Sequence, residues 1–149
     1  IDENEPQAIC SPLESVVLQE FSDVLNKLDC DKYTTQIVGH NVSAFDLRFL
    51  VQRYVVNKIK TPHIIQWASQ AKPWEGEKVF DTMVQWAGVG NRISLDKLCM
   101  ALEIEAPKSD ITGATVYDYF LAGKVEEIKE YCLKDVVATR AVANRLRFF

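Results

Sequence analysis

Gln36-Ile37-Val38-Gly39 obliges this chain to combine sheet with helix. A β-branched pair closed by glycine reads as a short buried strand, because the run is too brief for a core helix. From Ser43 to about Asn57 the period changes: Phe45, Phe49, Leu50, Tyr54 and Val55 recur at helical spacing. A strand that feeds a helix through a small loop brings that loop and the first helical turn to a sheet edge, where Asp46 would stand. Two explanations of Asp46 are open. Ser43-x-x-Asp46 resembles a capping box, which makes the acid a local charge at a helix N-terminus. The other explanation is a carboxylate belonging to a site completed elsewhere in the chain.

The remaining punctuation supports an α/β fold in one domain of 149 residues, without internal repeats. Ser11-Pro-Leu-Glu14 spells a capping box with proline at the first helical position. It predicts a helix to about Leu28 with Val17, Phe21, Val24, Leu25 and Leu28 on one face. His63–Trp67 and Lys78–Thr82 are expected to be strands, separated by an exposed connection around Ala71–Glu77. Ser94 predicts a cap for a helix to about Leu102, and Gly123 ends a short helix over Gly113–Leu121. The longest helix runs from Val125 to about Arg147. Its acids lie in the first turns and its arginines in the last, as the helix dipole favours.

A net charge of −4 excludes a passive nucleic-acid-coating protein, which would need a basic footprint. It leaves room for an enzyme that meets phosphates through bound cations, since such a site is itself acidic. The four cysteines, Cys10, Cys30, Cys99 and Cys132, have no zinc-ligand spacing. Cys99 and Cys132 fall in apolar helical patterns and are expected to be buried, reduced thiols, which points to a cytoplasmic compartment. No apolar run is long enough to span a membrane, and no membrane partner is expected. The sequence carries no signal for an oligomeric state.

Tyr131 and Asp135 lie four residues apart in the longest helix and therefore share a face. By themselves they read more often as a core aromatic and a solvated or helix-pairing acid than as parts of a site. Asp is less at home in a helix interior than the longer acids, which makes Asp135 in front of Val136-Val137-Ala138 worth noting. Carboxylate oxygens suit hard cations such as Mg²⁺ or Mn²⁺, and two such ions can clamp the attacking and leaving oxygens of a phosphodiester. Phe45 and Phe49 would form an apolar wall beside a base or sugar. His40 is expected to be hydrogen-bonded or to touch a phosphate. Asp81 is expected to hydrogen-bond a neighbouring loop, with a place near the site as the other reading. Trp67, Trp74 and Trp86 are expected to pack, with Trp74 the best exception, and Lys108, Lys124 and Lys134 to be solvated.

The order of these motifs resembles a known family. N-x-x-x-F-D at Asn41–Asp46, followed far downstream by Y-x-x-x-D at Tyr131–Asp135, is similar to the second and third motifs of the DEDD superfamily of 3′–5′ exonucleases. The tyrosine marks the subclass that includes proofreading domains of family B DNA polymerases. K-P-W-E at Lys72–Glu75, V-F-D-T-M-V-Q-W at Val79–Trp86 and S-L-D-K-L-C-M-A-L-E-I at Ser94–Ile104 look like blocks of the bacterial and phage group related to those domains. D-I-T-G-A-T-V at Asp110–Val116 looks like another, and the resemblance covers Ser11–Phe149. It implies a ribonuclease H-like fold, a mixed sheet flanked by helices, and hydrolysis of terminal phosphodiesters of DNA, with single-stranded DNA or DNA 3′ ends as partner. It also implies two Mg²⁺ or Mn²⁺ ions, Asp46 and Asp135 as their ligands, and Tyr131 as the holder of the attacking water. Asn41 would brace the loop or touch the substrate strand, and Phe45 would pack.

The family's first motif, Asp-x-Glu on a first strand, is not spelled in these 149 residues. Glu3-x-Glu5 has a similar spelling, but no apolar run precedes it, so an exposed acidic turn is expected. Two carboxylates and a tyrosine would hold two ions poorly. The domain is therefore expected to be N-terminally incomplete and weakly active as written. The alternative is an inactive exonuclease-like module that binds nucleic acid or a protein partner. A purely structural α/β domain, with Tyr131 and Asp135 merely packed and paired, is the third reading.

Overall fold

Val38 and its neighbours do form a strand. In the computed structural model, which describes residues 5–107 and 109–147, Ile37–Gly39 (β1) pairs in parallel with Val79–Asp81 (β2). The register sets Ile37 opposite Val79, Val38 opposite Phe80 and Gly39 opposite Asp81, so both strands end side by side. Parallel neighbours need a long crossover. Here it contains Asp46–Val56 (α2) and His63–Ala68 (α3). Ahead of the sheet lies Glu14–Lys27 (α1), and after it come Thr82–Ala87 (α4), Leu95–Ala101 (α5), Val116–Leu121 (α6) and Val125–Leu146 (α7). The fold is mixed α/β, with this two-stranded parallel sheet the only one among the described residues. Among those residues no helix is long and apolar enough to cross a membrane. Glu3 and Lys108 lie outside the described residues.

The chain divides into two compact units, residues 11–92 and residues 93–147 with 5–10. Each has its own apolar core. In the 11–92 unit Leu25, Val42, Leu47, Ile64, Ile65, Ala68 and Val79 are buried together, joining α1, α2, α3 and β2. In the other, Leu98 and Cys99 of α5 meet Ala138 and Val142 of α7.

Several local expectations change. His63–Trp67 is helical, because the buried set Ile64, Ile65 and Ala68 follows a helical period while Gln66 stays exposed. Neither predicted capping box forms. Helix α1 starts at Glu14 with Leu13 as its cap, and the Ser11 hydroxyl accepts only from the Leu13 N–H, at 3.2 Å. Helix α2 starts at Asp46 behind Phe45, with no side-chain cap, because the Ser43 N–H is engaged elsewhere. Cys132 is exposed, since the buried stripe of α7 runs through Ala138 and Val142 on another face, whereas Cys99 is buried as expected. Helix α4 is not expected from the sequence pattern, which only carries a strand as far as Thr82. Ser94 does cap α5, accepting from the Lys97 N–H at 3.4 Å, and Gly123 follows α6 at φ +72°.

Helices α1 and α2 are fastened at two levels. Tyr54, wholly buried, places its hydroxyl 2.8 Å from the Leu18 carbonyl and 2.9 Å from the Ser22 hydroxyl, which itself lies 2.9 Å from that carbonyl. Two hydroxyl protons thus serve three contacts, and every polar atom of the group is satisfied. At the other end, Glu14 accepts from Arg53 Nε at 2.6 Å, Arg53 Nη2 at 2.5 Å and Asn57 Nδ2 at 2.8 Å. The Arg53 hydrogen bonds, and then that of Asn57, hold the Glu14 carboxyl at about 2, below its ordinary 4.5. A carboxyl depressed by folding contributes stability that is present above its unfolded value and is lost as pH falls through the folded one. Glu14→Gln is expected to flatten the acid limb of Tm against pH between about 4.5 and about 2. An acid limb identical to that of the parent protein would show that this bridge adds nothing to stability.

Gly39 closes β1 because nothing larger fits. A Cβ built there would lie 2.5 Å from Val42 Cβ, with both Val42 methyls within 3.0 Å. The turn after the strand doubles back this tightly, which sets the path of the loop between β1 and α2.

Candidate active site

The paired strand ends carry the first half of the site. Asp81, buried at the end of β2, points its carboxylate across to the β1–α2 loop. Its Oδ1 accepts from the Asn41 N–H at 2.9 Å and the Met83 N–H at 3.1 Å, and its Oδ2 from the Ser43 N–H at 3.0 Å. One carboxylate therefore caps α4 and pins the loop that delivers Asp46. Asn41 takes the left-handed conformation, φ +61°, which asparagine tolerates better than most residues. His40 places Nδ1 2.9 Å from the buried Thr82 hydroxyl, so its ring is hydrogen-bonded within the same strand-end cluster.

Asp46 opens α2 as an exposed residue. Desolvation pushes its carboxyl above the ordinary value. A hydrogen bond from its own backbone N–H partly opposes this, and the Asp81 charge adds to it. The Ser43 capping box does not form, yet Asp46 remains an acid in the first turn of α2, so the local-charge reading and the site reading both stand. Phe45 does not pack inward as expected. It is 59% exposed and lies against Phe49, 48% exposed, with ring centroids 5.8 Å apart and planes 4° from parallel. The Arg53 guanidinium lies 6.0 Å from the Phe49 ring. Trp67 packs on the core and Trp74 is 79% exposed, both as expected, whereas Trp86 is also exposed.

The second half lies on α7. Tyr131 and Asp135 stand one turn apart on α7, and both residues are half-buried. Burial first, then the charge of Asp135 and hydrogen bonding to it, push the phenol up to about 12. Tyr131 therefore keeps its proton near neutral pH and remains a hydrogen-bond donor. The same carboxylate, with Asp96 on α5, helps to raise the buried Cys99 thiol, after the larger effect of burial.

Asp46 thus belongs to the 11–92 unit with His40, Asn41 and Phe45, while Tyr131 and Asp135 belong to the other unit. Within the 11–92 unit His40 and Asn41 join the strand-end cluster of Thr82 and Asp81, whereas Phe45 stacks on Phe49 instead. Among the described residues, neither unit gathers three His, Cys, Asp or Glu side chains around a possible metal position. A pocket of about 270 Å³ opens beside the β1–α2 loop, within the 11–92 unit. Its lining includes Asn41, Ser43, Asp81, Arg48 and Arg92 but not Asp46. Sequence reasoning missed the two arginines, for which no local signal exists. It also missed the cap that Asp81 forms, although Asp81 ahead of Thr82–Ala87 is an ordinary N-cap spelling.

A family model described as a predicted 3′–5′ exonuclease related to the exonuclease domain of PolB matches residues 10–149. No curated protein and no solved structure matches the chain.

Proposed function

The chain belongs to the predicted 3′–5′ exonucleases related to the exonuclease domain of PolB, and on that footing we propose a metal-dependent domain that removes nucleotides from DNA ends by water attack on the terminal phosphodiester. The observation that carries the reading is the placing of Tyr131 and Asp135, both half-buried, one turn apart on α7. A phenol kept protonated and a carboxylate on one helical face are what holding and orienting a water molecule requires. Tyr131 positions the nucleophile and Asp135 orients the phenol on α7, and Asp46 is the carboxylate that the 11–92 unit offers. Asn41 braces the loop, while His40 and the Phe45 ring face the substrate strand. The frame proposed for these parts is a ribonuclease H-like sheet, a reading supported by the parallel strand pair with its helical crossover.

Asp46 and Asp135 offer hard carboxylate oxygens, the donor chemistry of Mg²⁺ and Mn²⁺. Partial desolvation of Asp46, to which the Asp81 charge adds, is an electrostatic setting that a divalent cation relieves. The donors fit such ions in kind and fall short in number, since neither unit collects three ligating side chains among the described residues. A bound ion supplies charge stabilisation at the attacked phosphate. The chain's own residues supply water positioning and loop rigidity. That shortfall favours one second reading, a non-catalytic module that binds nucleic acid without cutting it. Unpaired thiols at Cys10, Cys30, Cys99 and Cys132 support the cytoplasmic placement that goes with either reading.

The test is to incubate the full-length protein with single-stranded DNA labelled at its 5′ end, in Mg²⁺ and in Mn²⁺. A ladder of products shortened from the 3′ end is expected. Intact DNA that is nevertheless retained by the protein in a gel shift would favour the second reading. Tyr131→Phe is expected to lower kcat on the order of 10²-fold while KM changes little, because positioning of the water matters in the transition state. A loss confined to KM would make Tyr131 a binding group instead.

A further inference from the structure

Four of the six arginines in this chain have a partner. Arg53 is held by Glu14 and Arg145 by the Leu102 carbonyl, and Arg140 and Arg147 also have partners. The remaining two, Arg48 and Arg92, have guanidiniums with no hydrogen bond or ion pair to any described residue, although the chain carries 21 acids against 17 bases. Both line the same pocket of about 270 Å³. Two cations that line one concavity favour an anion there, and the planar fork of each matches phosphate oxygens.

We propose that this pocket binds a nucleoside 5′-monophosphate, with Arg48 and Arg92 on the phosphate. A phosphate monoester carries close to two negative charges at neutral pH, one for each guanidinium, whereas a diester in a strand carries one. The pocket's volume is at the small end of ligand sites and suits one nucleotide. Gln85 offers an amide for a base edge and Asn91, whose Nδ2 already donates to the Ala87 carbonyl, offers its Oδ1, while Val79 and Met83 supply apolar surface for the ring face. Asp81 also lines the pocket, but three backbone N–H groups already occupy its carboxylate. The choice of a nucleotide, which would be the released product, rests on the exonuclease reading. The two unpartnered arginines at one pocket do not.

The test is a calorimetric titration of the full chain in EDTA with deoxyadenosine 5′-monophosphate, deoxyadenosine, inorganic phosphate and an unphosphorylated dinucleotide. The monophosphate is expected to bind at least tenfold more tightly than the other three. The exposed single variants Arg48→Gln and Arg92→Gln are each expected to weaken it severalfold, and the double variant more than tenfold, with Tm unchanged. Asp135→Ala is expected to bind as the parent does; if the parent itself binds the monophosphate but never shortens DNA, the pocket stands while the exonuclease reading falls. Equal binding of inorganic phosphate would reduce the site to an anion contact, and equal binding of the dinucleotide would make it a strand contact. Either result, or absence of binding, overturns the proposal. Loss of binding in Asp135→Ala would also overturn it.

Discussion

Asp135→Ala is expected to abolish Mg²⁺- and Mn²⁺-dependent degradation of single-stranded DNA, a loss of about 10⁴-fold or more, as for other catalytic groups that act as a unit. The residue is half-buried on α7, and its carboxylate helps to raise the Tyr131 phenol, so alanine removes a proposed ligand and that influence together. A second readout separates this from a folding defect. The Asp135 charge and hydrogen bond help to hold Tyr131 at about 12, so an ultraviolet titration of the variant should find that phenol ionising at lower pH. The shift should be partial, because burial is the larger cause and remains. Undiminished turnover in Asp135→Ala would take this carboxylate out of the site altogether.

The second large effect is expected at Asp81. Asparagine has almost the same shape, but one of its two terminal atoms is an NH₂ group, which cannot accept from the backbone N–H groups of Asn41, Ser43 and Met83. At least one donor then loses its partner, and the bonds that survive are no longer charge-assisted. Asp81→Asn is expected to cost about 2–4 kcal/mol, summed from a charged hydrogen bond lost and a buried donor left open. For a unit the size of residues 11–92 this is a fall in Tm on the order of 10 °C. Exonuclease activity should fall as well, since the loop carrying Asn41 and leading to Asp46 loses its anchor. The Asp46 carboxyl should move down toward its ordinary value, because a neighbouring negative charge has gone. An unchanged Tm would show that the loop holds its shape without this carboxylate.

The parts of this molecule that were legible in its sequence are those decided by local chemistry. β1, α2, α5 and α7 follow from apolar period and from Ser94 as a cap, and their bounds lie close to the expected ones. Two capping boxes misled because their groups had better partners far away in sequence. Glu14 is drawn to Arg53 and Asn57, and the Ser43 backbone to Asp81. His63–Trp67 misled because Ile64 and Ile65 favour strands locally, while the buried set that includes Ala68 is helical. Within the candidate site, the placing of Tyr131 one turn from Asp135 was readable from their four-residue spacing. The exposure of Phe45 and the gathering of Arg48 with Arg92 at one pocket were not, because both depend on how distant segments are folded against each other.

The tight turn after β1 also bears on how this loop can evolve. At Gly39 the obstacle is the Cβ of residue 42, not only its methyls, so trimming Val42 to alanine leaves the 2.5 Å approach as it was. A side chain at position 39 becomes possible only if position 42 is glycine too. That exchange removes a buried valine from the core before it gains anything. With the backbone held as it is, the two positions are therefore separated from that alternative by an intermediate of lower stability. The backbone path from the strand to Asp46 is in this sense an inherited constraint, one that single substitutions do not escape.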